Sequence, residues 1–358
     1  MTRAKRRWLP ALLIPLALAL AVLTGSVQAG ATVSLPPKTA DEVLAMIART
    51  QVREFSGTLQ QTAELGLPDI TSSAPGITPA AGTALEFLAG SHTARVFVGD
   101  PTKARLQVMD AMAERDLIVN GKDAWFYNSA DNSATHLQVP KSGAPTETLP
   151  NKPTLPTPEA LASRFLAAVD AGTEVTVGEA SSVAGRSAYR LNLAPKDPGT
   201  LVASVSIDVD SETGFPLGVH VQAKNQADPA YSLAFTDLSL SAPDPGLFQF
   251  TPPAGSTVTT KVLPARPTPV PDADASAKAP SPHGTRVSGE GWGSIVVLPA
   301  AAVPAGLTSN PQISQMLQSV SGGRALTSSL VSVLILDDGR VLAGLVPLER
   351  LQSAAAAQ

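Results

Sequence analysis

The feature that most constrains this chain is the strict alternation of residues 201–236. Leu201, Ala203, Val205, Ile207 and Val209 fall on one side, with Ser204, Ser206 and Asp208 on the other. After Asp210-Ser211-Glu212-Thr213-Gly214, Leu217, Val219, Val221 and Ala223 alternate with His220, Gln222 and Lys224. Tyr231, Leu233 and Phe235 repeat the pattern, with Ser232 and Thr236 between them. Strand side chains point to the two faces in turn, so period two predicts strands with one apolar and one wet face. The short turns make these strands an antiparallel meander. Its apolar face must be covered by something.

The first half adds helices and a hairpin. Thr39-Ala40-Asp41-Glu42 has capping-box spacing, and Val43, Leu44, Ile47 and Ala48 share a helical face, predicting a helix that ends near Phe55-Ser56-Gly57. Thr157 as N-cap with Pro158 at the first helical position opens a second helix through Leu161, Phe165, Leu166 and Val169. Leu106-Gln107-Val108 alternates, and Leu117-Ile118-Val119 and Trp125-Phe126-Tyr127 flank the turn pair Asn120-Gly121. Pro140 to Pro158 reads as a surface connection, and Pro264 to Pro282 as an extended linker, each with six prolines.

Beyond the linker, a strand at Ser294–Leu298, a short helix from Gln312 to Val320 and a hairpin pairing 330–336 with 341–346 make a small module. Some sixty residues is near the lower limit for independent folding, so the module is expected to dock on the first domain. The divisions are 1–29 as signal peptide, 31–255 as the main domain, 256–288 as linker and 289–351 as the module. The fold class expected is α+β and mainly antiparallel β.

Charge and composition exclude several functions. Arg3, Lys5, Arg6 and Arg7 precede the apolar run 9–23, and Val27-Gln28-Ala29 resembles a signal cleavage site. Pro10 and Pro15 interrupt the run, which is shorter than the ~20 residues that span a bilayer. The segment reads as an export signal and places the working part outside the cytoplasm. Past residue 30 the chain has 22 basic and 30 acidic side chains. That balance is a poor match for nucleic-acid phosphates. Zero cysteines remove disulfides, thiolate metal sites and a cysteine nucleophile.

No catalytic constellation stands out. His92, His136, His220 and His283 are far apart in sequence, and none has a ligand partner at helical spacing. Gly289-Glu290-Gly291-Trp292-Gly293 follows no apolar strand and opens no helix, so it reads as a flexible edge and not a phosphate cradle. His220 reads as a solvated surface histidine. Asp208, Asp210 and Glu212 straddle a turn and lack calcium-loop spacing. No catalytic residue, metal ligand or cofactor is expected.

Three stretches resemble the LolA lipoprotein-carrier family and its RseB-type envelope-sensor relatives, most of all the secreted LolA-like proteins of Gram-positive bacteria. They are Phe55-Ser56-Gly57-Thr58-Leu59-Gln60-Gln61, the hairpin Leu117–Lys122 with Trp125-Phe126-Tyr127-Asn128, and Leu247-Phe248-Gln249-Phe250-Thr251-Pro252-Pro253-Ala254-Gly255. The likeness spans about residues 40–255. It implies a curved half-barrel sheet with helices over its concave face, and an apolar cavity for a lipid, acyl chain or lipoprotein moiety. Phe97, Leu106, Val108, Trp125, Tyr127, Val205, Ile207, Val219, Val221 and Phe235 are the expected lining. It implies a non-enzymatic carrier whose partner is a lipid or an acylated protein. The alternative is an envelope-stress regulator that binds a membrane-anchored regulator or transporter and senses a lipid. One position departs from the family: Asp100, before Pro101, stands where the carriers have a basic residue.

Overall fold

A computed structural model describes residues 34–67, 90–100, 102–109, 113–138, 155–262, 285–303 and 315–357. The expected signal peptide, the Pro140–Pro158 connection up to residue 154, and the Pro264–Pro282 linker lie outside the described residues. Most of the described chain forms one large, curved, unclosed sheet, mainly antiparallel, with a small sheet-and-helix module at the C-terminal end.

The first helix, α1, is Ala40–Ala48, and its capping box closes as the sequence predicts, with Thr39 and Glu42 bonded reciprocally. It stops well short of Phe55, which instead opens strand β1, Phe55–Ala63. Then come β2 (Gly90–Asp100), β3 (Lys103–Met109), β4 (Glu114–Asn120), β5 (Asp123–Asn128) and β6 (Ser133–Gln138). The hairpin at Asn120-Gly121 forms as expected, with Gly121 at φ 64°, a left-handed value that favours glycine. Helix α2 is Pro158–Ala167, capped by the Thr157 hydroxyl on the Ala160 amide. Strands β7 (Thr173–Val177), β8 (Ser181–Val183) and β9 (Arg186–Pro195) were not anticipated. The meander is β10 (Val202–Asp210), β11 (Pro216–Ala223) and β12 (Tyr231–Ser239).

The strand order is β13-β6-β5-β4-β3-β2-β1-β12-β11-β10-β9-β7, with β8 also paired to β9. Here β13 is Thr257–Val262, which runs parallel to β6. These residues were expected to begin the linker, so the sheet extends past the boundary drawn at 255. The cause is the preceding segment 244–252, which crosses the sheet and delivers the chain to the β6 edge.

Opposed residues in a ladder share a face, so the register sorts every side chain. One row, Leu193-Val205-Val221-Tyr231, is apolar. Its neighbour, Asn192-Ser206-His220-Ser232-Thr62, is polar. The apolar rows make the inner face. Val43 of α1 and Ala162 of α2 are fully buried against Leu191, Leu193, Val205, Ile207 and Val219. A second apolar cluster joins Phe55, Leu59, Val96, Leu106, Val108, Phe215, Leu217 and Phe235.

The C-terminal module is a six-stranded sheet, order β14-β15-β19-β18-β17-β16. Its strands are β14 (Arg286–Ser288), β15 (Ile295–Leu298), β16 (Gln318–Val320), β17 (Gly323–Thr327), β18 (Ser332–Leu336) and β19 (Val341–Gly344). The expected hairpin is present as β18 and β19. Of the short helix expected over 312–320, residues 312–314 lie outside the described residues, 315–316 are helical, and the last part is corrected: Gln318–Val320 is a strand paired with β17. An unforeseen helix α3, Leu348–Ala356, buries Leu351 against Leu334 and Leu342.

The module docks, as its size required. The Leu201 amide donates to the Leu345 carbonyl at 2.8 Å, and the Ser329 amide to Leu65 at 3.0 Å. Arg350 pairs with Asp197 at 2.9 Å. Trp292, expected on a flexible edge, instead donates to the Thr173 hydroxyl at 2.9 Å and stacks on Phe165 of α2 at 6.2 Å and 17°. An indole with both an apolar face and an N–H satisfied is an anchor.

Two outcomes are expected. Phe215 is fully buried, 5.0 Å from the Phe55 ring and 6.2 Å from Phe235. Phe215→Ala should cost about 3–5 kcal/mol in urea denaturation, as a large cavity in a rigid core does. Trp292→Ala removes one hydrogen bond and one stack, together about 1–3 kcal/mol. Hydrogen exchange at the Leu201 and Ser329 amides should quicken about tenfold in that variant, while amides of β10 and β11 stay protected.

Candidate functional site

The ten residues expected to line a cavity divide by register. Leu106, Val108, Val205, Ile207, Val219, Val221 and Phe235 lie on the inner face, but all are buried in the two apolar clusters. Phe97, Trp125 and Tyr127 lie on the other face. The row Ser56-Phe97-Arg105-Ile118-Trp125-His136 is outer, and Tyr127 is two residues from Trp125.

These three are on the wrong side for the hollow because the outer face is also covered there. Segment 244–252 lies across β2–β5 as a strap. Phe248 is buried and fits so closely over Gly99 that a Cβ there would meet its ring at 2.7 Å. Arg105 donates to the Leu247 carbonyl at 3.3 Å while paired with Asp116 at 2.7 Å. Phe250 packs on Trp125 and Tyr127 at 5.4 and 5.6 Å, and Trp125 stacks on His136 at 4.0 Å.

The space sits elsewhere on the inner face, where α2 reaches β1–β4. A groove of about 600 Å³ is walled by Glu159, Ala160, Ser163, Arg164 and Ala167 of α2, and by Leu155 and Thr157 just before it. Val52, Arg53, Phe55, Val98 and Asp100 form its other side, with Thr102, Lys103, Ala104 and Val119. Its volume falls within the range of small-molecule pockets. Beyond it, Leu117 and Leu137 are half-buried on the same inner face and Phe126 is 38% exposed. None of the ten expected lining residues borders this groove. The signal for it was the offset parity: Val98 and Ala104 oppose each other on the inner face, one residue from Phe97 and Arg105.

The polar groups of the groove have definite states. Asp100 accepts from the Thr102 hydroxyl and amide, both at 2.7 Å, and pairs with Lys103 at 3.1 Å. The Thr102 bonds come first in holding its carboxyl down to about 2. Lys103 thus stands beside the position where the carrier resemblance had a base and this chain has an acid. Glu159 is opposite in tendency. Burial raises its carboxyl above the usual range, and the charge of Arg53 works against that.

The outer face of the meander carries the other candidate. His220 lies between Asp208, 2.9 Å from its Nε2, and Ser232, 2.8 Å from its Nδ1. Far from being a solvated histidine, it is half-buried and doubly bonded. The row has the residue types of a hydrolase triad. However, Ser232 sits inside the ladder between Thr62 and His220. Its surroundings are sheet whose amides bond neighbouring strands, so they present no paired N–H donors for an oxyanion. Asp208 itself is fully buried and bonded by Ser181 at 2.7 Å and Arg190 at 2.9 Å. Asp210 is paired with Arg186 at 2.8 Å, and Glu212 with the same arginine at 2.9 Å. The three acids are therefore occupied by arginines, and no group of three metal-ligating side chains occurs among the described residues. Nor is any described helix long and apolar enough to cross a membrane.

No protein-family model and no curated protein matches the chain. Solved structures do. A MucA/MucB complex from Pseudomonas aeruginosa is similar at 17% identity and a TM-score of 0.43, covering 88% of this chain and 96% of that one. An uncharacterized conserved protein from Thermus thermophilus is similar at 11% identity and 0.35, covering 62% and 99%. A LolA superfamily protein from Nitrosomonas europaea is similar at 10% identity and 0.23, covering 60% and 99%.

The buried acid predicts a pH dependence. Burial works to raise the Asp208 carboxyl, but the bonds from His220, Arg190 and Ser181 outweigh it and hold the group at about 2. Against an unfolded value of about 3.9, a depressed folded value stabilises the protein above pH ~4, and that stability is lost as pH falls toward 2. Its size is about 2 kcal/mol. Arg190→Gln should lower stability at neutral pH by about 1–3 kcal/mol. In that variant the loss of melting temperature between pH 4 and 2 should be shallower.

Proposed function

We propose that this is a non-enzymatic, extracytoplasmic binding protein that holds a lipid, an acyl chain or a lipoprotein moiety in the groove between α2 and strands β1–β4. The observation that carries the reading is the groove itself: about 600 Å³ bordered by Val52, Phe55, Val98, Ala104, Val119, Leu155, Ala160 and Ala167. Burying an acyl chain there contributes ~0.8 kcal/mol per methylene, so eight methylenes supply about 6 kcal/mol with no catalytic group. The basic residues 3–7 ahead of an apolar run of export-signal length support a site of action outside the cytoplasm.

A second reading is favoured by one contact. Trp292 of the C-terminal module stacks on Phe165 of α2, the helix that walls the groove. A module touching the groove's own wall suits a regulator of a membrane-anchored partner, one that reports whether the groove is filled.

Native mass spectrometry of the protein purified from its own host is expected to show a lipid adduct. Ala104→Trp, which puts an indole into the groove from β3, should remove the adduct while the melting temperature shifts by only a few degrees. Adduct-free protein from the host, or an adduct that persists in the filled variant, would count against the groove as the binding site. Under the second reading, Trp292→Ala should keep the adduct and lose a copurifying membrane protein.

A further inference from the structure

We propose that the ligand of this groove is an amphiphile with an anionic head, a carboxylate or a phosphate, held by Arg53 and Arg164 while its chain lies along Phe55, Val98, Ala104 and Val119. The inference rests on the acyl-binding reading above and specifies the ligand. Five charged side chains line the groove: Arg53, Lys103 and Arg164 against Asp100 and Glu159. Lys103 and Asp100 neutralise each other at 3.1 Å, and the Asp100 carboxylate is further occupied by Thr102. That pair has little left to offer a ligand.

The remaining charges are unequal. Arg53 enters from the segment before β1 and Arg164 from α2, on opposite walls, and both are exposed. Among the described residues neither is within ion-pair distance of a carboxylate. The single acid left is Glu159, half-buried, on which Arg53 acts only at longer range. On the far side of Arg53 a second groove adds Arg49 and Glu54, one charge of each sign, and Glu212, which Arg186 already holds. Two exposed guanidinium groups on opposite walls of an apolar slot therefore stand against one remaining acid. Guanidinium forks match carboxylate and phosphate oxygens in charge and geometry. With two free guanidinium groups against one acid, the excess charge in the slot is positive and disfavours a cationic head.

Isothermal titration of the full chain with two probes of equal chain length tests this: dodecanoate and dodecyltrimethylammonium, each below its micelle concentration. Dodecanoate should bind at least tenfold tighter, and added salt should narrow the gap. Arg53→Gln and Arg164→Gln should each weaken dodecanoate about tenfold, the loss of one charge-assisted contact. Neither should weaken the cationic probe. Both arginines are exposed, so the variants should melt as the parent does. Equal binding of the two probes, or dodecanoate binding indifferent to both substitutions, overturns the charge inference and leaves the acyl reading standing. Binding of neither probe, or dodecanoate binding unchanged in Ala104→Trp, overturns the acyl reading and this inference with it.

Discussion

A sheet this wide cannot cover its own apolar face, and the rest of the molecule is organised around that shortfall. Twelve strands in a row span eleven spacings, about 53 Å at ~4.8 Å each. The two helices on the inner face have 9 and 10 residues, so each is about 14 Å long and ~10 Å across. Each can cover two or three strand spacings in either direction. They are spent on the β7–β12 half, where Val43 and Ala162 reach full burial. In the β2–β6 half Val96, Leu106 and Val108 are buried in the second cluster, but Val98, Leu117 and Val119 stay half-buried and Phe126 exposed. The groove is the boundary between the covered and the uncovered part.

The outer face meets water in two ways, and the difference explains the aromatic residues. Across β9–β12 it is polar, with Arg190, Asp208, His220 and Ser232 bonded in a chain and Ser206 donating to Asn192 beside them. A fully buried carboxylate such as Asp208 is tolerable only because three side chains donate to it. Across β2–β5 the outer face sets the aromatic Phe97, Trp125 and Tyr127 beside the paired Arg105 and Asp116, and the strap 244–252 covers it with Phe248 and Phe250. The strap ends in β13, which extends the sheet by a parallel edge strand.

This is why the meander was legible in the sequence and the site was not. In β10–β12 one face is wet, so alternation alone assigns Val205, Ile207, Val219, Val221 and Phe235 to the inner side. Their full burial then follows from two helices that could be read but not placed. In β2 and β5 both faces are apolar, as Val96-Phe97-Val98 and Trp125-Phe126-Tyr127 show. Parity there has no wet reference, and choosing the larger aromatics selected the strap side. The helix caps at Thr39 and Thr157 are local and were readable. Strands β7–β9 alternate less regularly, and α3 draws its stability from Leu351 against Leu334 and Leu342, a contact with no local signature. Trp292 was misread for a similar reason: glycines around it suggest freedom, but Thr173 and Phe165, more than a hundred residues earlier, fix it.

Helix α2 is therefore under two constraints at once. One side offers Glu159, Ala160, Ser163 and Arg164 to the groove, and Phe165 presents its ring to Trp292. Any widening of the groove that shifts α2 away from the sheet must alter that stack and the Trp292–Thr173 bond. The two contacts are together worth about 1–3 kcal/mol, whereas eight methylenes buried in the groove would contribute about 6 kcal/mol. Lifting α2 would also uncover Ala162, Leu161 and Leu166, which pack on the same core, so the helix is held to the sheet by more than its contact with Trp292 and a guest chain must fit a groove whose α2 wall stays in place.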